Sequence, residues 1–425
     1  MVDLVAPETL GMSHERLRRI QRWMQEHVEQ ERLAGISVLV RRHGQNAFFD
    51  SAGSLAMHAD KPIGMDSIFR IYSMTKPIVS VAAMTLYEEG RFQLDDPLAR
   101  FLPEFEQMQV LVGGDADNPR LEPARSLITL RHLFTHTSGF TYDFLKSSPV
   151  DELYYRNDIT FMGGDTSLAE VVTRLAQQPL LCHPGSEWHY SVSTDVLGRV
   201  IEVISGQPLD QFLQERIFKP LGMADTAFSV SEDKLDRFTT LYTTASDAPP
   251  APPLGHDITH VIPEPPSGLK LADPSAGGRF AKPAKVLSGG GGLTSTTADY
   301  LRFCDMLQNK GALNGKQVLG RKTVEFMTRN HLPGSMADMG QPRFNNGHMG
   351  AGLGFGLGFA VVLDPALAQT QGSAGEYFWT GMANTQFWID PQEDMSVIQM
   401  AQLMPSSLLP LRRDLRSLVY QALVE

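Results

Sequence analysis

Ser73-Met74-Thr75-Lys76 puts a hydroxyl and an amine three residues apart, where an apolar approach (Phe69-Arg70-Ile71-Tyr72) gives way to the apolar run Val79–Glu89. If the run is helical, positions i and i+3 share a face and the lysine stands one turn above the serine. A serine hydroxyl is a weak nucleophile until a neighbouring base takes its proton. Lysine can be that base only when neutral, so its pKa must fall from ~10.4 to ~7–8. Burial beside a helix N-terminus supplies such a shift, and the free backbone N–H groups there favour an anionic acyl adduct. Taken alone, the pattern fits an N-cap serine with a solvated lysine equally well. It also recurs at Ser231–Lys234, in the charged run SEDKLDR, and at Ser267–Lys270, in a Pro/Gly-rich stretch; only Ser73 opens an apolar helix.

Other reactive patterns fall away. No Gly-x-Ser-x-Gly occurs, so the nucleophile elbow of α/β-hydrolases is missing. His132-x-x-x-His136 has the spacing of a helical metal pair but lacks the adjacent glutamate of a zinc hydrolase, and reads as structural. The Gly289–Gly292 run lacks a phosphate-loop lysine, and Asp95-Asp96-Pro97 reads as a turn and helix cap. Cys182 and Cys304, the two cysteines, are far apart and read as buried free thiols. A net charge of -11, with only the short basic pairs Arg41–Arg42 and Arg412–Arg413, argues against nucleic acid as a partner. Neither a secretory leader pattern nor a run of ~20 apolar residues is present, so the expectation is a cytoplasmic protein without membrane insertion.

The elements that must position Ser73 follow from periodicity. Residues 8–30 predict an amphipathic helix, then Ile36–Val40 and Ala47–Ser51 predict a hairpin across His43-Gly44-Gln45-Asn46. Gly90 is a natural stop for the helix carrying Lys76. Helices are expected at Thr129–Phe134, Ser167–Gln177, Val192–Ser205 and Leu209–Phe218. Residues 245–292, dense in proline and glycine, predict no regular element. A helix at Thr297–Gln308, strands at Gly356–Leu363, Thr385–Asp390 and Met395–Gln402, and a helix at Leu408–Leu423 complete the chain. Such an order implies one sheet built from both chain ends, flanked by the terminal helices, with helices inserted between, and a cleft as the default ligand site. At 425 residues two lobes are expected. Tyr142 and Phe144, in the aromatic stretch 140–162, fit either a pocket lining or the packing of a long loop.

Several segments together carry a family resemblance: FRIYSMTKPI around Ser73, LDDPLARFLPEF (94–105), ITLRHLFTHTSGF (128–140), HPGSEWHYSVSTDVLGRVIE (183–202), LSGGGGLTSTTADYLRF (287–303) and GEYFWTGMANTQFWIDP (375–391). In their order and spacing the chain resembles the class VIII carboxylesterases, which look like class C β-lactamases. The resemblance implies an α+β, β-lactamase/transpeptidase-like fold. Residues 1–75 and 286–425 would form the sheet domain, and 76–285 a mostly helical domain with a loop at 245–285.

It also implies roles. Tyr190, opening Tyr-Ser-x, would point its hydroxyl at Ser73 and Lys76 and relay a proton; whether Lys76 or Tyr190 is the base stays open. Trp379-Thr380-Gly381 would stand in place of the Lys-Thr-Gly strand that walls the cleft, with the backbone N–H groups of Ser73 and Met382 forming the oxyanion hole. Trp379 and Val192 replace polar handles for a β-lactam, which favours a neutral ester. The implied activity is hydrolysis of short-chain carboxylic esters through an acyl-serine, with weak β-lactam hydrolysis as a secondary activity and no metal or organic cofactor. The rivals are a β-lactamase or D-amino-acid peptidase of the same fold, an acyltransferase, and a non-catalytic binding protein on this scaffold.

Overall fold

The computed structural model describes residues 3–161, 163, 166–244, 268–340 and 350–425. Its centre is a seven-stranded antiparallel sheet in the spatial order Leu353–Phe355, Ala360–Val362, Tyr377–Thr380, Gln386–Asp390, Met395–Ala401, Gly35–Arg42, Gln45–Gly53. Both ends of the chain meet where Gly35–Arg42 pairs with Met395–Ala401, with Leu39 opposite Ile398. Every residue of Met395–Ala401 is buried. Side chains alternate across a strand, and here Met395, Val397 and Ala401 enter one core while Ile398 and Met400 enter another. The sheet is therefore covered on both faces. On the first face the helices His14–Glu29 and Leu411–Tyr420 bring Leu17, Ile20, Met24, Leu411, Leu415 and Val419 into the core.

The opposite face meets the helix Thr297–Gln308 and the larger core of the helical region. There the helix Thr75–Glu88 is buried at every position through Leu86. A helix apolar all round belongs at the centre of a core, and Ser193–Ser205 packs beside it. The α+β arrangement agrees with the order read from periodicity, while particular elements differ. Of the expected strand Gly356–Leu363 only Ala360–Val362 is a strand, and it forms a hairpin with Leu353–Phe355, which precedes the expected range. Its turn holds Gly358 at φ 93°, where a Cβ would come within 2.2 Å of Ser80 Oγ, so the turn presses on the buried helix.

Leu209–Phe218 is helical as expected, but α-helical only to Leu213, with Gln214–Phe218 a π-helix. Within the stretch expected to be irregular, Leu269–Asp273 forms a strand with Leu241–Thr244. Most of the Pro/Gly-rich loop expected at 245–285, from 245 to 267, lies outside the described residues. Among the described residues no helix is long and apolar enough to cross a membrane.

Candidate active site

The nucleophile candidate sits on a bend. The short strand Ile68–Arg70 pairs with Thr294–Thr296, and Ile71 N–H donates to Leu293 O at 3.1 Å. Tyr72 then adopts φ 43°, a left-handed conformation unusual for a bulky residue. The 3₁₀ turn Tyr72–Met74 feeds the helix Thr75–Glu88. Ser73 thus stands just before the helix, half-buried, while Tyr72 and every residue from Met74 to Leu86 are buried. Ser73 is the one residue from Ile71 to Leu86 that is only half-buried.

Three side chains converge there. Tyr190 Oη donates to Ser73 Oγ at 2.5 Å across 117 residues of sequence. Lys76 Nζ lies 3.3 Å from the same oxygen and donates to Gly290 O at 2.6 Å. Only 1% of Lys76 is exposed, and burial pulls its ammonium down to about 7 while the Asp195 charge pulls the other way. Burial drives the Tyr190 phenol upward, opposed by its contacts with Ser73 and Trp379. At neutral pH the phenol is therefore a proton donor, and the amine is the group poised to gain or lose a proton.

Tyr190 is held by rings. Its centroid is 5.0 Å from His136, 5.3 Å from Tyr142 and 5.5 Å from Trp379. The Lys76 ammonium stands 4.5 Å from the Tyr190 ring centre and 5.4 Å from that of Tyr142. Tyr142 stacks on Phe144, which is exposed, so this part of the aromatic stretch belongs to the wall of the site. His136, fully buried and kept neutral by burial, pairs with Ser191 Oγ at 3.2 Å. His132 reciprocates with Thr129 in a capping box, so the two histidines have separate structural tasks.

Trp379 and Thr380 end the strand Tyr377–Thr380, opposite Phe387 and Gln386. Gly381 follows, pinned by Gly381 N–H to Thr385 O at 2.8 Å and by Arg412 Nη2 to Gly381 O at 2.8 Å. A Cβ on Gly381 would lie 2.4 Å from Ile71 O, so only glycine lets this strand end approach the backbone leading into Ser73. Met382 comes next, half-buried against the cluster that contains Tyr72.

Asp195, Gly290, His136 and Arg412 were not found from sequence. A signal existed for one of them: Asp195 is the only Asp, Glu, Lys or Arg between Glu187 and Arg199, on an apolar helix. The competing Ser-x-x-Lys patterns are not placed like Ser73. Ser231 precedes a 3₁₀ helix whose Lys234 pairs with Asp225 at 2.9 Å, and Ser267 lies outside the described residues. Among the described residues, Cys182, Glu187 and His189 bring donor atoms within 4.8 Å of one another, as a metal ion would need, and Glu187 already pairs with His189 at 2.8 Å.

A seven-stranded antiparallel sheet, a buried central helix and a serine at that helix's entry define the β-lactamase/transpeptidase fold. The family described as Beta-lactamase matches residues 20–421, and the chain belongs to that family as one of its serine hydrolases. It is 33% identical to esterase EstB of Burkholderia gladioli over 92% of each chain. It is 30% identical to monacolin J acid methylbutanoyltransferase of Aspergillus terreus, over 83% of this chain and 81% of the relative. Among solved structures, EstCE1, titled a hydrolase with promiscuous acyltransferase activity, superposes with a TM-score of 0.76 at 29% identity, covering 96% of this chain and 99% of that one.

Proposed function

We propose that the protein is a carboxylic ester hydrolase working through an acyl-Ser73 intermediate. One observation carries this reading: the Oγ of half-buried Ser73 sits 2.5 Å from Tyr190 Oη and 3.3 Å from Lys76 Nζ, with the lysine held at about 7. Ser73 Oγ attacks the ester carbonyl carbon as its proton passes to the neutral Lys76 amine. The phenol stays protonated, which supports Lys76 as the base and Tyr190 as the proton relay, although the two act as a coupled pair. The oxyanion is received by the backbone N–H groups of Ser73 and Met382; losing one such donor typically costs ~2.7–4 kcal/mol of barrier. Collapse breaks the bond to the alkoxide, which takes its proton through Tyr190. Water then adds to the acyl carbon by the same route and regenerates Ser73.

Trp379, buried with its ring 5.5 Å from that of Tyr190, offers no charge to pair with a β-lactam carboxylate, and this supports neutral short-chain esters as substrates. The test is a series of nitrophenyl esters from acetyl to dodecanoyl beside a chromogenic cephalosporin, with intact-mass detection of the adduct. Turnover should be fastest on the short acyl chains, with the adduct on Ser73. Faster turnover of the cephalosporin, or of dodecanoyl over acetyl, would overturn this assignment. A second reading, acyl transfer to an alcohol, is favoured by the methylbutanoyltransferase and by EstCE1. It differs only in the acceptor, and the ratio of transfer product to acid as alcohol is added decides it.

A further inference from the structure

A carboxylate stands behind the lysine. Asp195, in the first turn of the helix Ser193–Ser205, is 0% exposed. Its Oδ1 accepts from Ser288 Oγ at 2.5 Å and from Gly290 N–H at 2.9 Å. The carbonyl of the same Gly290 accepts from Lys76 Nζ at 2.6 Å. One glycine therefore joins the buried carboxylate to the buried amine through its two backbone groups. A Cβ there would lie 2.3 Å from Asp195 Oδ2 and 2.9 Å from Tyr142 Oη, so no other residue fits. The run Gly289–Gly292 thus contains a backbone bridge between two side chains.

We infer that Asp195 is a positioning residue: through Gly290 it aims the Lys76 amine at Ser73, and its negative charge sets the pH at which that amine becomes free to act. This rests on Lys76 being the base. Burial pushes the Asp195 carboxyl up, and the nearby lysine and the two donors on Oδ1 oppose that rise by favouring the carboxylate. The other titratable groups facing the pair do not compete. Burial holds the phenols of Tyr142 and Tyr190 upward, hence protonated, and holds His136 neutral. An unpaired ion this deep is costly, and a carboxylate opposite an amine relieves both.

The experiment compares wild type, Asp195→Asn, Lys76→Met and the double variant, in kcat/KM for nitrophenyl acetate from pH 5 to 9 and in melting temperature at pH 8. Removing the anion lowers the lysine pKa, so the acidic limb of the Asp195→Asn profile should move down by about one pH unit. Lys76→Met strands the carboxylate, so adding Asp195→Asn should raise its melting temperature, a compensation that no merely structural Asp195 produces. A limb that stays in place overturns the inference. Should Asp195→Asn be too unstable for kinetics, a double variant melting no higher than Lys76→Met overturns it instead. Absence of Ser73-dependent turnover in the wild type defeats the hydrolase reading alone, because the melting comparison still judges the pair.

Discussion

Arg70 and Lys76 lie within one short segment, both buried, yet they are treated in opposite ways. Arg70 is 0% exposed and has a full set of partners. Its guanidinium meets Asp273 Oδ2 at 2.6 Å, donates to Thr239 O at 2.7 Å and Pro274 O at 3.0 Å, and covers the Phe238 ring at 4.1 Å. Lys76 has one backbone carbonyl, one hydroxyl and a carboxylate reached only through Gly290. A guanidinium with its donors satisfied stays charged inside a protein, whereas an under-solvated ammonium gives up its proton. Of the two buried basic side chains on either side of Ser73, one is thus a strut and the other fits the proposed base, and the number of polar partners separates them.

The sharpest way to break that contrast is at the serine between them. Ser73→Ala should abolish the acyl adduct and lower ester turnover by about 10⁴-fold or more, read by intact-mass spectrometry and initial rates; full turnover by this variant would remove the premise. Next, Arg70→Met should leave Asp273 without its partner and cost about 3–5 kcal/mol of stability, measured by denaturant unfolding. A loss of activity at unchanged stability would place Arg70 in the chemistry and erase the distinction. Tyr190→Phe removes the relay but keeps the ring packing, so kcat should fall about 10²–10³-fold with the melting temperature nearly unchanged.

The smallest effect is a pH profile. Lys76 must be neutral to act and is held at about 7, so activity rises with pH through that value and below it falls about tenfold per unit. A lysine left near its ordinary range would put the limb close to pH 10, and Lys76 would then resemble Arg70 in keeping its charge.

What could be read from the chain in one dimension was whatever depends on near neighbours. Ser73, in the 3₁₀ turn, and Lys76, in the first turn of the helix it feeds, come together because a helical backbone brings i and i+3 close, and the apolar run to Glu89 announced a buried helix. The hairpin from Gly35 to Gly53 and the helix Thr297–Gln308 were legible from local pattern. Elements whose form depends on what they lean against were not. The hairpin turn at Gly358 bends because Ser80 lies beneath it, and Leu269–Asp273 becomes a strand because Leu241–Thr244 offers an edge.

At the site the same division holds. Family resemblance pointed to Tyr190 and the Trp379 strand, but periodicity could not, since nothing local links residues so far apart. Asp195, Gly290 and Arg412 acquire significance only after folding removes water from around Lys76 and Tyr190. Burial and charge pairing are properties of three-dimensional neighbours, so the protonation state of the lysine was decided by the tertiary structure. Its place in the chain was decided by the sequence.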